Sequence, residues 1–123
     1  MIIGIGTDIV EVARIAKSIE KVAFKKRVFS KNEIVYCESK KNKAESFAAR
    51  FAAKEAFFKA LGTGWRDGMA FNEVEITNDT LGKPSLNALG KTAKIIAKKN
   101  IKIVHVSLSH TGEIALATII LEG

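Results

Sequence analysis

Two acidic side chains carry most of the chemistry that this sequence offers: Asp8 in Gly4-Ile5-Gly6-Thr7-Asp8-Ile9-Val10-Glu11, and Glu55 in the segment from Arg50 to Gly64. A strand-end Asp, a helix Glu and Lys59 one turn further on suit a phosphate held through magnesium. The carboxylates supply hard oxygens for the ion, and the ammonium meets the remaining negative charge. Plainer readings exist for the same residues. Asp8 with Glu11 three places later fits a helix N-cap and its capping box. Glu55 with Lys59 at i+4 fits a solvated ion pair worth about 0.2–0.5 kcal/mol. Ala48 and Ala52 share the helix side of Glu55, so small residues let another element approach and a cleft form around the carboxylate. Gly4-x-Gly6 lacks the third glycine of a dinucleotide fingerprint. Spacing alone leaves the structural and the metal readings both open.

The elements that must position these residues follow from periodicity. Ile2 to Thr7 reads as a short buried strand ended by Asp8, its glycines marking a close backbone approach or a bulge. From Ile9 the steps Val12, Ile15, Ile19 and Val22 predict an amphipathic helix with Arg14, Lys17 and Lys21 off the apolar stripe. Ser30-x-x-Glu33 has capping-box spacing and opens a second short helix through about Glu38, followed by a lysine-rich turn from Lys40 to Lys43. Ala44 to Leu61, with seven alanines and the stripe Phe47, Phe51, Phe58, predicts the central helix, capped by Gly62. Val74 to Thr77 alternates as a strand, and the turn residues Asn78 to Pro84 lead into another extended piece. Leu89 to Lys99 is helical, Ile101 to Ser109 alternates as a strand, and His110 to Glu113 turns into a last strand, Ile114 to Leu121. This order predicts an α+β fold, helices packed on a mostly antiparallel sheet.

A chain of 123 residues with 47% hydrophobic content supports one core and one domain spanning residues 1–123. Twenty Lys and Arg against 13 Asp and Glu give a net charge of +7, which favours an anionic partner. A nucleic-acid-binding module is the competing class. Against it, the nine aromatics form no stacking platform among the basic residues, and no standard nucleic-acid motif is present. Cys37 is the single cysteine, which excludes an internal disulfide, makes structural zinc improbable and suits a reducing, cytoplasmic setting. No apolar run reaches the roughly 18–20 residues of a bilayer span, and the apolar start lacks the basic leader and cleavage site of an export signal.

The two acidic segments resemble the signature motifs of holo-[acyl-carrier-protein] synthase, the small bacterial 4'-phosphopantetheinyl transferase. The likeness extends to Gly82-Lys83-Pro84 and to Val106-Ser107-Leu108-Ser109-His110-Thr111, and so covers essentially the whole chain in order. The resemblance implies that Asp8 and Glu55 are magnesium ligands, that Lys59 contacts the coenzyme A phosphates, and that Arg50, Gly64, Lys83, Ser109 and His110 line the coenzyme cleft. It also implies a homotrimer with coenzyme A between subunits. The implied reaction moves phosphopantetheine from coenzyme A to a serine of apo acyl carrier protein, releasing adenosine 3',5'-bisphosphate, in support of fatty acid biosynthesis. Glu55, directly or through water on the metal, is the expected proton acceptor, with His110 the second candidate; His110 is read first as a turn histidine bonded to backbone or phosphate, and His105 as structural. Acyl carrier proteins are acidic, so Arg14, Lys17 and Lys21 form the expected docking surface, with plain solvation the alternative for the two lysines. Trp65-Arg66-Asp67-Gly68 reads as a mobile lip near the coenzyme.

Overall fold

The computed structural model describes residues 1–66 and 68–123. Strand β1 (Ile2–Glu11) is followed by three short helices, α1 (Val12–Ser18), α2 (Val22–Val28) and α3 (Lys31–Glu38), and then by the long α4 (Lys43–Ala60). A 3-10 turn, Phe71–Glu73, leads into the hairpin of β2 (Val74–Asn78) and β3 (Pro84–Ala88). Helix α5 (Gly90–Ala97) and the strands β4 (Ile103–His110) and β5 (Ile114–Glu122) complete the chain. One antiparallel sheet has the order β1-β5-β4, and β2 pairs with β3 in a second. The α+β expectation holds, with strictly antiparallel pairing in both sheets. No helix among the described residues is long and apolar enough to cross a membrane.

Helix α4 lies across the larger sheet, and its buried face is mostly alanine: Ala48, Ala49, Ala52, Ala53, Ala56 and Ala60. Small residues on the helix meet small residues on the sheet, Ala115 and Ala117 in β5 and Gly4 and Gly6 in β1. A Cβ on Gly6 would collide with the Ala56 carbonyl and lie 2.7 Å from the Ala60 nitrogen, and one on Gly4 would strike the Ala60 carbonyl. Both readings of these glycines are therefore met, because the β1–β5 register also shifts between Ile2 and Gly4. Phenylalanines fill the other side of α4, with Phe29 against Phe47 at 4.9 Å and Phe58 against Phe71 at 5.0 Å between ring centroids.

The first strand runs further than its sequence suggested. Asp8 pairs with Ala117 inside the ladder, which continues to Glu11 opposite Ile114. Glu11 holds the N-cap position of α1 with no side-chain cap bond, so the Asp8/Glu11 capping box does not form. Ladder bonds to β5, over a hundred residues away in the chain, take the backbone that a local cap would have used. The helix expected from Ile9 to Val22 is two helices broken after Ser18; Lys21 is the N-cap residue of α2 and Val22 is exposed. The Ser30 capping box forms in full: the Ser30 hydroxyl accepts from the Glu33 amide at 3.2 Å, and Glu33 accepts from the Ser30 amide at 2.9 Å. His110 is the last residue of β4 rather than a turn residue. Asp67, within the expected lip, lies outside the described residues; beside it, the Trp65 indole donates to the Met69 carbonyl at 2.7 Å.

Candidate active site

Pleating places Gly4, Gly6, Asp8 and Val10 on the face of β1 that meets α4. The glycines let helix and strand come close enough for Asp8 to reach side chains of the last turns of α4. The Lys59 ammonium donates to Asp8 Oδ1 at 2.9 Å and to the Thr7 carbonyl at 3.1 Å. The i+4 ion pair between Glu55 and Lys59 is thus replaced by one from helix to strand. Glu55 sits half-buried beside them, and its carboxyl is pushed above the ordinary range, first by burial and then by the negative charge of Asp8; Lys59 and Arg14 act in the opposite sense. Arg14 also stands 5.8 Å from the Phe51 ring centroid, one turn before Glu55 on α4. Two carboxylates, an ammonium and a guanidinium therefore lie near one another where β1 meets α4.

This donor set fits a small divalent cation. Burial and the neighbouring Asp8 raise the Glu55 carboxyl, and a cation brought to the pair would favour its ionised form. No group of three or more His, Cys, Asp or Glu that could hold a metal exists among the described residues. Magnesium matches such an incomplete set, since it is held by one or two carboxylates and takes its other ligands from water and substrate phosphate.

A concave region lies on the other side of α4. It is a cleft of about 470 Å³ whose lining includes Tyr36, Lys40, Lys41, Glu45, Arg50 and His110. Arg50 is buried, with its guanidinium 4.2 Å from the Tyr36 ring centroid and its Nη2 donating to Asn78 Oδ1 at 2.6 Å. Its buried Nε has no partner among the described residues. His110 Nδ1 lies 3.0 Å from Glu45 Oε2. Five residues of α-helix rotate by about 140°, so Arg50 and Glu55 point to different sides of α4.

The expected site residues thus fall into separate groups. Asp8, Glu55 and Lys59 converge, and Arg14, expected only on a docking surface, joins them. Arg50 and His110 share the cleft, and Lys83 sits in the β2–β3 turn between two lining residues, Gly82 and Pro84. Gly64 lies in the exposed loop after α4 with a positive φ of 66°, outside that lining. Ser109 alternates with His110 and faces the outer side of the sheet, away from α4. Lys17 and Lys21 border a groove with Phe24 and Arg27, one on α1 and the other between helices. Tyr36, Glu45 and Asn78 carry no spacing signal in the sequence and were missed; only the fold brings them beside Arg50. His105 pairs with Glu122 at 2.8 Å on the outer face of the sheet.

Comparison with known proteins extends these observations. The sequence model of the 4'-phosphopantetheinyl transferase superfamily matches residues 4–119. The holo-[acyl-carrier-protein] synthase of Geotalea daltonii is 44% identical over 124 residues, covering 99% of both chains. That of Solibacter usitatus is 46% identical with the same coverage. Among solved structures, holo-[acyl-carrier-protein] synthase from Neisseria meningitidis superposes with a TM-score of 0.91 at 37% identity over 100% of both chains. The Helicobacter pylori enzyme, solved in complex with coenzyme A, superposes with a TM-score of 0.83 at 32% identity, covering 96% of this chain and 99% of that one. Because these matches run from one end of the sequence to the other, the chain belongs to the 4'-phosphopantetheinyl transferase superfamily.

Proposed function

We propose that this protein is a holo-[acyl-carrier-protein] synthase: it transfers the 4'-phosphopantetheine arm of coenzyme A to a serine hydroxyl of apo acyl carrier protein and releases adenosine 3',5'-bisphosphate. The observation that carries this reading is that Asp8, ion-paired with Lys59, comes near enough to Glu55 for its charge to act on that carboxyl, although the two acids are far apart in sequence. The names of the relatives and the coenzyme A complex of the Helicobacter pylori enzyme support it.

In the reaction the serine oxygen bonds to the phosphorus that carries the pantetheine arm, and the bond from that phosphorus to the departing nucleotide oxygen breaks. Lys59, once drawn from Asp8 to the diphosphate, meets the charge that builds on the leaving oxygen. Glu55 accepts the serine proton, directly or through a water molecule. Asp8 and Glu55 would hold magnesium, which when bound supplies neutralisation of the diphosphate. Arg14 at the lip, with Lys17 and Lys21 beyond it, receives the acidic carrier. Arg50, His110 and Lys83 hold the nucleotide end of coenzyme A, with Gly64 and Ser109 in contact once subunits assemble.

Assembly as a homotrimer belongs to the same proposal. The metal pair and the nucleotide cleft lie on different sides of α4, so an extended coenzyme joins them most simply across a subunit boundary. The outer face of the sheet supports this, since Ile5 and Ile9 are 66% and 63% exposed in the single chain and stand beside Leu116 and Ile120 of β5. Alternate apolar residues on an uncovered sheet face mark an interface. A cytoplasmic place in fatty acid biosynthesis completes the reading, consistent with one free, buried cysteine.

The test is mass spectrometry of apo acyl carrier protein incubated with coenzyme A and magnesium. The reading requires a magnesium-dependent mass gain of one phosphopantetheine. Salt-sensitive retention of an oligonucleotide, with no gain on the carrier, would replace it with the nucleic-acid reading.

A further inference from the structure

The positive charge of this chain is concentrated in one stretch. Residues 80–112 contain six lysines and no aspartate or glutamate, whereas the other 90 residues carry 14 basic side chains against 13 acidic ones, so nearly all of the net +7 sits there. Five of the six, Lys91, Lys94, Lys98, Lys99 and Lys102, belong to α5 and the turn after it, and all five are exposed. At about 100° per residue, Lys91, Lys94 and Lys98 fall within about 60° of one another, opposite the buried Thr92 and Ile96. The stripe is about 10 Å long, close to the Debye length of about 8 Å at physiological ionic strength, so a facing anionic surface meets its charges together. Lys91 stands near Glu73 and helps to hold that carboxyl low. Lys94, Lys98, Lys99 and Lys102 have no ion-pair partner among the described residues.

These lysines serve neither the reacting groups where β1 meets α4 nor the cleft beside Arg50. Helix α5 packs mainly on the 3-10 turn and on β3, so assembly through the outer face of the larger sheet leaves the stripe open. Composition selects the kind of anion. The stretch from 80 to 112 has no arginine and no aromatic residue, and so lacks the bidentate forks and stacking faces that hold nucleic acid. Ammonium groups act as point charges and suit a field of mobile phosphates. An apolar contact lies beside them: Lys99 shares a groove of about 590 Å³ with Met1, Ile3, Leu61 and Leu121, and Met1 is exposed. Cations at the headgroups and aliphatic side chains at the acyl boundary are what a bilayer surface accepts. We propose that the lysine stripe of α5 is a docking surface for an anionic lipid bilayer, with Met1 and its groove making the apolar contact. The protein then lies on the membrane without crossing it. Each lysine near such a surface strengthens binding about fivefold, which makes the attachment reversible and sensitive to salt.

The experiment is sedimentation of the full-length protein with vesicles, one set of equal parts phosphatidylglycerol and phosphatidylcholine, the other of phosphatidylcholine alone, with no coenzyme or carrier present. Wild type is expected to bind the anionic vesicles, to stay off the neutral ones, and to be released as salt rises from about 50 to about 500 mM. Lys94→Glu with Lys98→Glu should weaken binding at least about tenfold. Lys26→Glu with Lys31→Glu makes the same change of net charge on α2 and α3, away from the stripe, and should cost less than about threefold, because distant charges are screened. Thermal melts and transfer to a soluble carrier, unchanged in both double variants, confirm that each is folded. Absence of transfer in every protein would remove the transferase reading and leave the vesicle result to be judged by itself. Wild type that fails to bind anionic vesicles overturns the proposal, as does an equal loss in the two double variants. Retention on an oligonucleotide that depends on Lys94 and Lys98, without vesicle binding, assigns the stripe to nucleic acid and overturns it too. Should the first pair fail to fold, Lys98→Gln with Lys99→Gln takes its place, and undiminished vesicle binding in that variant has the same force.

Discussion

Gly6 in β1 and Ala56 in α4 are packed so closely that a single methyl group on Gly6 would overlap the Ala56 carbonyl oxygen. Backbone stands against backbone there, so nothing flexible can give way. That contact sets how near Asp8 comes to Glu55 and Lys59. Gly6→Ala should therefore destabilise the protein by at least about 1–3 kcal/mol, as overpacking does. In whatever fraction stays folded, transferase activity should fall further than stability alone explains, since strand and helix must part. Urea unfolding together with activity assayed well below the melting temperature checks both effects.

Helix α5 is capped from outside its own sequence. The Leu89 side chain at its N-cap offers no polar atom, and Glu73 instead accepts from the Thr92 hydroxyl at 2.7 Å and the Thr92 amide at 3.1 Å. These bonds, the hydroxyl first, hold the Glu73 carboxyl below its ordinary range. A depressed carboxylate contributes stability that is present above its unfolded value and is lost as pH falls through its folded value. Glu73→Gln should thus lower stability at pH 7 by about 1 kcal/mol, the usual worth of a cap. The gap to wild type should close below about pH 4. Denaturant melts at several pH values test this, and a gap that stays constant with pH would contradict it.

Lys54 adjoins Glu55 in sequence yet is wholly buried, donating to Glu33 Oε1 at 2.7 Å, to the Phe71 carbonyl at 2.8 Å and to the Val74 carbonyl. Lys54→Met should cost about 3–5 kcal/mol, because Glu33 would keep a buried charge without its counter-ion. Adding Glu33→Gln should recover part of that loss. Thermal unfolding of the single and double variants reads the difference.

Much of this was legible in the sequence because it is local. The Ser30 capping box, the alanine-rich α4 and the alternation of β4 and β5 each declare themselves within a few residues. The glycines of β1 were readable as a close approach, whereas the nearness of Asp8 and Glu55 was implied by the family resemblance and not by their spacing. What escaped depends on partners far along the chain. Asp8 looked like a cap because its ladder partner, Ala117, is at the other end of the sequence. Ile5 and Ile9 are apolar on the uncovered face of β1, so the strand lacks the polar alternation that would have announced its full length. The break between α1 and α2 has neither glycine nor proline to mark it. The grouping of Tyr36, Glu45, Arg50, Asn78 and His110 exists only once four elements have packed.

Arg14 stands where the proposed docking surface meets the proposed reacting groups. Arg14→Glu should weaken carrier binding at least tenfold at low salt and reduce the salt dependence of what remains. It should also lower the maximal rate, because Arg14 acts on Glu55 as well as on the carrier. Steady-state kinetics against carrier concentration at two ionic strengths separate the two effects. An unchanged maximal rate would confine Arg14 to docking.

The central claim is that Asp8 and Glu55 together hold one divalent cation against the diphosphate of coenzyme A. Crystals grown with coenzyme A and manganese in place of magnesium, with data collected at the manganese edge, address it directly. The expected result is a single anomalous peak within about 2.0–2.4 Å of a carboxylate oxygen from each residue and of a diphosphate oxygen. It should be absent in Asp8→Ala, a variant that should fold yet show almost no transfer. A peak bound elsewhere, or ligated by only one of the two carboxylates, would contradict the claim.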